Sequence, residues 1–196
     1  MSEKLTRLPR MRWVADPSSY APLDTCACGG TSDPELDVEG HLDELREIGP
    51  DTYKTRVAEA RDSGEIIGVS VLDQRKLADE EPFLSAAYLA LSLINQPYRG
   101  MRMPDGVTRI GTFLLCDTLL QIEEMWGPPM PMVWSLVHQE NRACRNVLAR
   151  HDFWPVRGKP RTDEKPYVLY TREQGLSATH GFSQHIVDMV RNAAID

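Results

Sequence analysis

The stretch from Tyr88 to Leu120 reads YLALSLINQPYRGMRMPDGVTRIGTFLLCDTLL. Its first part, Tyr88–Asn95, is apolar on both alternating faces, which marks a strand buried in the middle of a sheet. Its last part, from about Ile110 to Met125, is long and apolar enough for a helix, stopped by Gly127-Pro128-Pro129. Between them lies QPYRGMRMPDGVTRIG, with Gly100, Gly106 and Gly111 among Arg99, Arg102 and Arg109. A helix start carries free N–H groups and the positive end of the helix dipole, so it attracts an anion. Glycines let the backbone approach that anion, and arginines add charge-assisted bonds. The unit therefore suits a pyrophosphate, although Gly-rich loops before helices are also common as plain turns.

A second strand–loop–helix unit follows in MVWSLVHQENRACRNVLARHDFWPV, residues 132–156. Met132–Val137 reads as a short apolar strand and Asn141–Arg150 as a helix that the Asn141 side chain can cap. Working outward, Tyr53–Ala60 and Glu65–Leu72 read as a hairpin around Asp62-Ser63-Gly64. Gln74–Glu81 is a polar connection. Asp33-Pro34 opens a helix that places Val38, Leu42 and Leu45 on one face and stops at Gly49-Pro50. Phe153–Val156 and Tyr167–Thr171 read as the last strands. Ile186, Met189, Val190 and Ala193 form the apolar stripe of a closing helix, to be packed on the domain or used as a dimer contact. The alternation predicts mixed α and β layers.

The chain has 196 residues and a formal charge of 22 − 29 = −7, which argues against broad nucleic-acid binding. The same charge would steer a cationic amine, or simply keep the protein in solution. No apolar run is long enough to span a bilayer, and MSEKLTRLPRMRW lacks the apolar core of a secretory signal, so the expected location is the cytoplasm. Of the four cysteines, Cys26 and Cys28 stand close but lack the second ligand pair of a zinc site, so no metal is expected. Cys144 lies on an apolar helix face, where a thiol is normally an inert core group.

Together the two units resemble the GNAT superfamily of acetyl-CoA-dependent N-acetyltransferases. Ile94-Asn95-Gln96-Pro97-Tyr98-Arg99-Gly100 looks like the exit of that family's central strand and the start of its phosphate loop. Arg109-Ile110-Gly111-Thr112 looks like the end of the loop, and Val137-His138-Gln139-Glu140-Asn141 matches the second strand end and the Asn after it. Phe153 falls twelve residues past Asn141, at the spacing of the family's Phe. There are three departures. Met101–Thr108 fills a space where the family generally needs one residue; the tyrosine expected seven residues after Asn141 is Leu148; and the glycine before Phe153 is Asp152.

The resemblance implies an α/β (α+β) fold: a mixed, mostly antiparallel sheet splayed by a CoA cleft and flanked by helices. It divides the chain into a loop-rich entry (1–32), the acyltransferase domain (33–175) and a C-terminal helical extension (176–196). It implies acetyl-CoA bound by Leu93, Ile94, Asn95, Arg99, Gly100, Arg102, Gly106, Arg109, Ile110, Gly111, Thr112 and Asn141. It also implies direct acetyl transfer to a primary amine of a small molecule or protein. The amine must shed a proton, and the candidates to receive or guide it are His138, Glu140 and Asn141, with Glu80 and Glu81 farther off. Each has a plainer reading: a solvated loop histidine, a first-turn acid, a helix cap and a solvated charge pair. The alternative function is a CoA-binding module without catalysis, which Leu148 favours.

Overall fold

The computed structural model describes residues 4–27, 29, 32–48, 53–73, 86–156 and 167–194. The elements run β1 (Arg10–Val14), α1 (Asp33–Ile48), β2 (Tyr53–Glu59), β3 (Ile66–Asp73), β4 (Ala86–Ile94), α2 (Ile110–Trp126), β5 (Met132–His138), α3 (Arg142–Ala149), β6 (Trp154–Pro155), β7 (Tyr167–Arg172) and α4 (Gln184–Ala193). Short 3-10 turns at Pro17–Ser19, Ala21–Thr25 and Gln96–Tyr98 punctuate the loops. The connection Gln74–Glu81 with its Glu80 and Glu81, the Gly49-Pro50 stop and Cys28 lie outside the described residues.

The strands form a seven-stranded sheet in the order β1-β2-β3-β4-β5-β7-β6. Every pairing is antiparallel except β4 with β5, which are parallel and joined by the α2 crossover. This is the mixed, mostly antiparallel sheet with flanking helices that the resemblance implies. Parallel strands need such a crossover, and its helix must lie on one sheet face. Leu115, Leu119 and Ile122 of α2 accordingly share a core with Ala87, Leu89, Val133 and Val137. On the opposite face, Leu42 of α1 packs against Val57, Val69, Val71 and Leu93.

The ends of the chain join the same body. Leu5 and Met11 share a core with Phe113 of α2 and with Val187, Met189, Val190 and Ala193 of α4. The apolar stripe of α4 is thus packed against its own domain, over α2. Beneath it, Arg56 of β2 forms a buried bidentate pair with Asp117 of α2 at 2.7 and 3.0 Å. The Trp13 ring lies 5.1 Å from the same guanidinium.

Two features place the functional cleft. Among the described residues, the β4–β5 ladder holds Ala86↔Met132, Ala87↔Val133 and Tyr88↔Trp134. Beyond that rung β4 runs on to Ile94 and β5 to His138, each paired only on its outer side. Just past the last rung the Ser135 hydroxyl donates to the Leu89 carbonyl at 3.0 Å. The second feature is a bulge in β4. Leu89 opposes Leu72 and Leu91 opposes Val71, so Ala90 is an extra residue. A bulge re-aims the strand after it. Leu89 faces α2, whereas Leu93 faces α1 and Ile94 returns to the α2 side.

Candidate active site

The site is a fork between two strands with two helix starts on one side of it. Arg109 is the N-cap residue of α2, extended at φ −80° and ψ 145°, and no side chain caps the helix. The first intrahelical bond runs from the Phe113 amide to the Arg109 carbonyl at 3.1 Å. The amides of Ile110, Gly111 and Thr112 therefore open the helix without such partners. Gly111 sits where a Cβ would come within 3.6 Å of both Ile94 and Val147, so the tip of α2, the end of β4 and α3 converge there. Arg109 itself is exposed, and its side chain has no hydrogen bond or ion pair among the described residues.

The long loop resolves into two parts. Arg102 and Arg109 form an antiparallel bridge, and the Met103 amide donates to the Thr108 carbonyl at 2.8 Å. Residues 103–108 are thereby pinched out as a small lobe, and Arg102 is brought beside Arg109 as if the extra residues were absent. Asp105 organises the lobe. Its carboxylate accepts from the Val107 and Thr108 amides, both at 2.9 Å, from the Thr108 hydroxyl at 2.6 Å and from His185 of α4 at 3.0 Å. Burial alone would raise its pKa, but these bonds together hold it down at about 2. Buried Met103 anchors the lobe, Gly106 takes φ 72° at its turn, and the Leu5 amide donates to the Arg102 carbonyl at 2.8 Å.

These contacts sort the expected cofactor residues. Ile94, Arg109, Ile110, Gly111 and Thr112 gather at the uncapped tip. Gly100, at φ 79°, lies in the loop that leads to it. Arg102 spends its guanidinium on the Val107 carbonyl within the lobe, and Gly106 stands at the lobe's turn. Arg99 is paired with Glu35 of α1. Bonds from Ser32 first, and then from Arg99, hold the Glu35 carboxyl at about 2. Asn95 is buried and structural: its amide group donates to the Ile66 carbonyl at 2.8 Å and accepts from Ala27 at 3.1 Å and Gln96 at 2.9 Å. The Leu93 side chain points into the α1 core, leaving only its backbone toward the fork.

At the other prong, Asn141 caps α3 by accepting from the Cys144 amide at 3.0 Å. His138 is buried, 8% exposed, with its ring edge against Tyr167. Its Nδ1 accepts the Glu140 amide at 3.3 Å, which assigns the proton of the neutral ring to Nε2. Glu140 is exposed. Leu148 is buried in the α2 core, so no hydroxyl stands where the family's tyrosine would. Burial pushes the Cys144 thiol up to about 11, which leaves it inert as a nucleophile. Asp152 takes φ +64°, the left-handed conformation that a glycine favours at that position.

Sequence reasoning missed three contributors. Asp105 had a local signal, an Asp-Gly turn followed by Thr108, but its link to His185 is long-range. The Ala90 bulge had none, because an apolar run hides its own register. Tyr88 and Trp134, whose rings stack 4.0 Å apart on the last rung of the fork, became neighbours only through strand pairing. Among the described residues, no group of His, Cys, Asp or Glu is arranged to hold a metal ion, and no helix is long and apolar enough to cross a membrane.

No protein-family model and no curated protein matches the sequence. Solved structures do match the fold. An acetyltransferase from Corynebacterium glutamicum, named as histone acetyltransferase HPA2 and related, aligns with TM-score 0.57 and 18% identity over 86% of this chain and 98% of its own. A Desulfovibrio desulfuricans protein assigned to the GNAT acetyltransferases aligns with TM-score 0.55 and 14% identity over 83% and 97%. Arabidopsis thaliana NAA60, solved with a bisubstrate analogue, aligns with TM-score 0.52 and 13% identity over 85% and 99%. With the forked β4–β5 pair and the open tip of α2, these matches establish that the chain has the fold of the GNAT acetyltransferases.

Proposed function

We propose that the protein is an N-acetyltransferase that moves the acetyl group of acetyl-CoA onto a primary amine in a ternary complex. One observation carries the proposal: the fork between β4 and β5 opens beside an uncapped helix tip at which Arg109 stands unpaired. The residues present fit the cosubstrate. The Ile110, Gly111 and Thr112 amides and Arg109 would hold its diphosphate, and Gly111 leaves the tip clear of a side chain. Bound there, acetyl-CoA supplies an activated thioester, on which amine attack forms the N–C bond and releases the CoA thiol.

The chain's own part is to position, to polarise and to order the water that takes the proton. Beyond the Ala90 bulge, β4 amides facing the fork are donors for the oxygen on which negative charge develops. The Nδ1 lone pair of His138 is already engaged by the Glu140 amide, so the imidazole offers N–H on its other side. Proton removal by His138 would first require that 3.3 Å bond to open. We assign the proton instead to water, with His138 Nε2 and the free Asn141 amide nitrogen as the groups that order it. Glu140 is the exposed carboxylate toward which it leaves.

Release of free thiol from acetyl-CoA with a panel of primary amines tests the proposal. Amine-dependent release supports it. A second reading, a CoA-binding module without turnover, is favoured by buried Leu148. It predicts that acetyl-CoA raises the melting temperature while no amine releases thiol. Absence of both effects overturns both readings.

A further inference from the structure

Among the described residues, the helices leave half of one sheet face uncovered. Val133 and Val137 of β5, and Val168 and Tyr170 of β7, pack toward α2 and α3. Strand alternation therefore turns Trp134, Leu136 and His138, with Tyr167, Leu169 and Thr171, to the opposite face. Tyr88 of β4 joins them through its stack on Trp134. Trp154 opposes Thr171, and the Val156 amide donates to the Leu169 carbonyl, so β6 and the residue after it extend the same surface. α1 shares its core with β2, β3 and β4, and no residue of β5, β6 or β7 belongs to that cluster.

What remains open is apolar. Leu136 is 41% exposed, Trp154 61% and Val156 45%. The residues named on β5, β7 and β6 include no Asp, Glu, Lys or Arg, and the carboxylate of this face, buried Asp73, stands opposite Tyr88 on β3. The indole N–H of buried Trp134, at the head of the fork, has no hydrogen-bond partner among the described residues. A patch of this kind on a surface otherwise rich in charge marks a binding site. A lone donor at its edge fits a ligand that carries one oxygen acceptor.

We propose that this face seats the acceptor, and that the acceptor is an amine on an aromatic or branched apolar skeleton with a carbonyl oxygen for Trp134. The inference rests on the N-acetyltransferase reading above. With the helix tips on one side of the fork taken by the cosubstrate, the second reactant enters from the other side, onto Trp134, Leu136 and Trp154. The net charge of −7 alone would instead favour a polycationic acceptor. The rows around Leu136 and Trp154 decide against it, because an ammonium-bearing side chain would lose hydration there with no partner among the described residues, Asp73 standing instead opposite Tyr88 on β3.

Phenylalanine amide and lysine amide share the α-amine and the carbonyl and differ only in side chain. Their acetylation should differ by about tenfold or more in kcat/KM in favour of phenylalanine amide, the scale of one buried apolar side chain. Trp154→Ala and Leu136→Asn should each reduce that preference severalfold, and Trp134→Phe should raise the KM of phenylalanine amide, all with an unchanged KM for acetyl-CoA. Equal or better use of lysine amide, or a preference indifferent to both Trp154→Ala and Leu136→Asn, overturns the proposal. If neither amide is acetylated, calorimetric binding of phenylalanine amide to the wild type and to Trp154→Ala decides instead. Binding weakened by the substitution supports the face even as the enzymatic reading fails, and no binding overturns it.

Discussion

Arg109 and Arg102 are neighbours across a backbone bridge, yet they do different work. Arg102 is turned into the lobe to hold the Val107 carbonyl, whereas the Arg109 side chain is exposed at the helix tip with no partner among the described residues. Replacing Arg109 with Gln should therefore raise the KM for acetyl-CoA by about tenfold, the scale of one charge-assisted bond. Stability should stay within about 0.5 kcal/mol of wild type, as for other exposed positions; parallel kinetics and urea melts check both. Asp105 predicts a pH effect. Its carboxyl is held at about 2 in the fold against a reference of 3.8, so it contributes stability that is complete above about pH 4 and is lost as pH falls toward 2. The stability of Asp105→Asn should accordingly fall less than wild type between pH 5 and pH 2, as read by thermal melts at each pH. Asp152 makes a third case. Its φ of +64° is one that L-residues adopt at a cost, and a β-branched side chain adopts it least readily. Asp152→Val should cost about 1–2 kcal/mol and Asp152→Gly much less, in denaturant titrations. The residues at the α2 tip were legible in the sequence because glycines, arginines and a helix start are local signals. The engagements of Arg99 with Glu35 and of Asn95 with Ile66 and Ala27 were not, because those partners lie 29 to 68 positions away.

At the scale of elements, the sequence disclosed what periodicity can disclose. The hairpin, the buried β4 strand, the two strand–loop–helix units and the stripe of α4 all stand where their patterns place them. The bulge at Ala90 escaped, since a strand apolar on both faces looks the same in either register. The long insert Met101–Thr108 was visible, but not that a bridge from Arg102 to Arg109 would pinch residues 103–108 out of it. The α2 crossover is fastened to the sheet by Arg56 and Asp117, a buried bidentate pair. Cutting it by Asp117→Ala leaves an unpaired buried guanidinium and should destabilise the fold by about 3–5 kcal/mol. Chemical denaturation of the variant checks this, and a loss under about 1 kcal/mol would mean that water solvates Arg56. On the same packing layer, a Cβ on Gly68 would lie 2.8 Å from the Leu93 carbonyl and 2.6 Å from a Leu114 methyl, which explains a glycine within an otherwise branched β3.

For the whole molecule, one sheet is divided between two tasks. Its β1–β4 half, clasped by α1 on one face and by α2 and α4 on the other, supplies most of the packed core. Its β5–β7–β6 half carries Asn141 and α3 on one face and the open apolar rows on the other. The three-rung β4–β5 ladder joins the halves and ends where chemistry would begin. A charge of −7 says nothing about this division, and neither does composition, because the fork is a property of pairing rather than of residue type. The central claim is that the α2 tip holds a diphosphate within that fork, and amide NMR during titration with CoA tests it most directly. The account predicts that the Ile110, Gly111 and Thr112 amides shift most and saturate together, with 3′-dephospho-CoA still effective and pantetheine alone not. Saturable binding of CoA that leaves those three amides unmoved would contradict it.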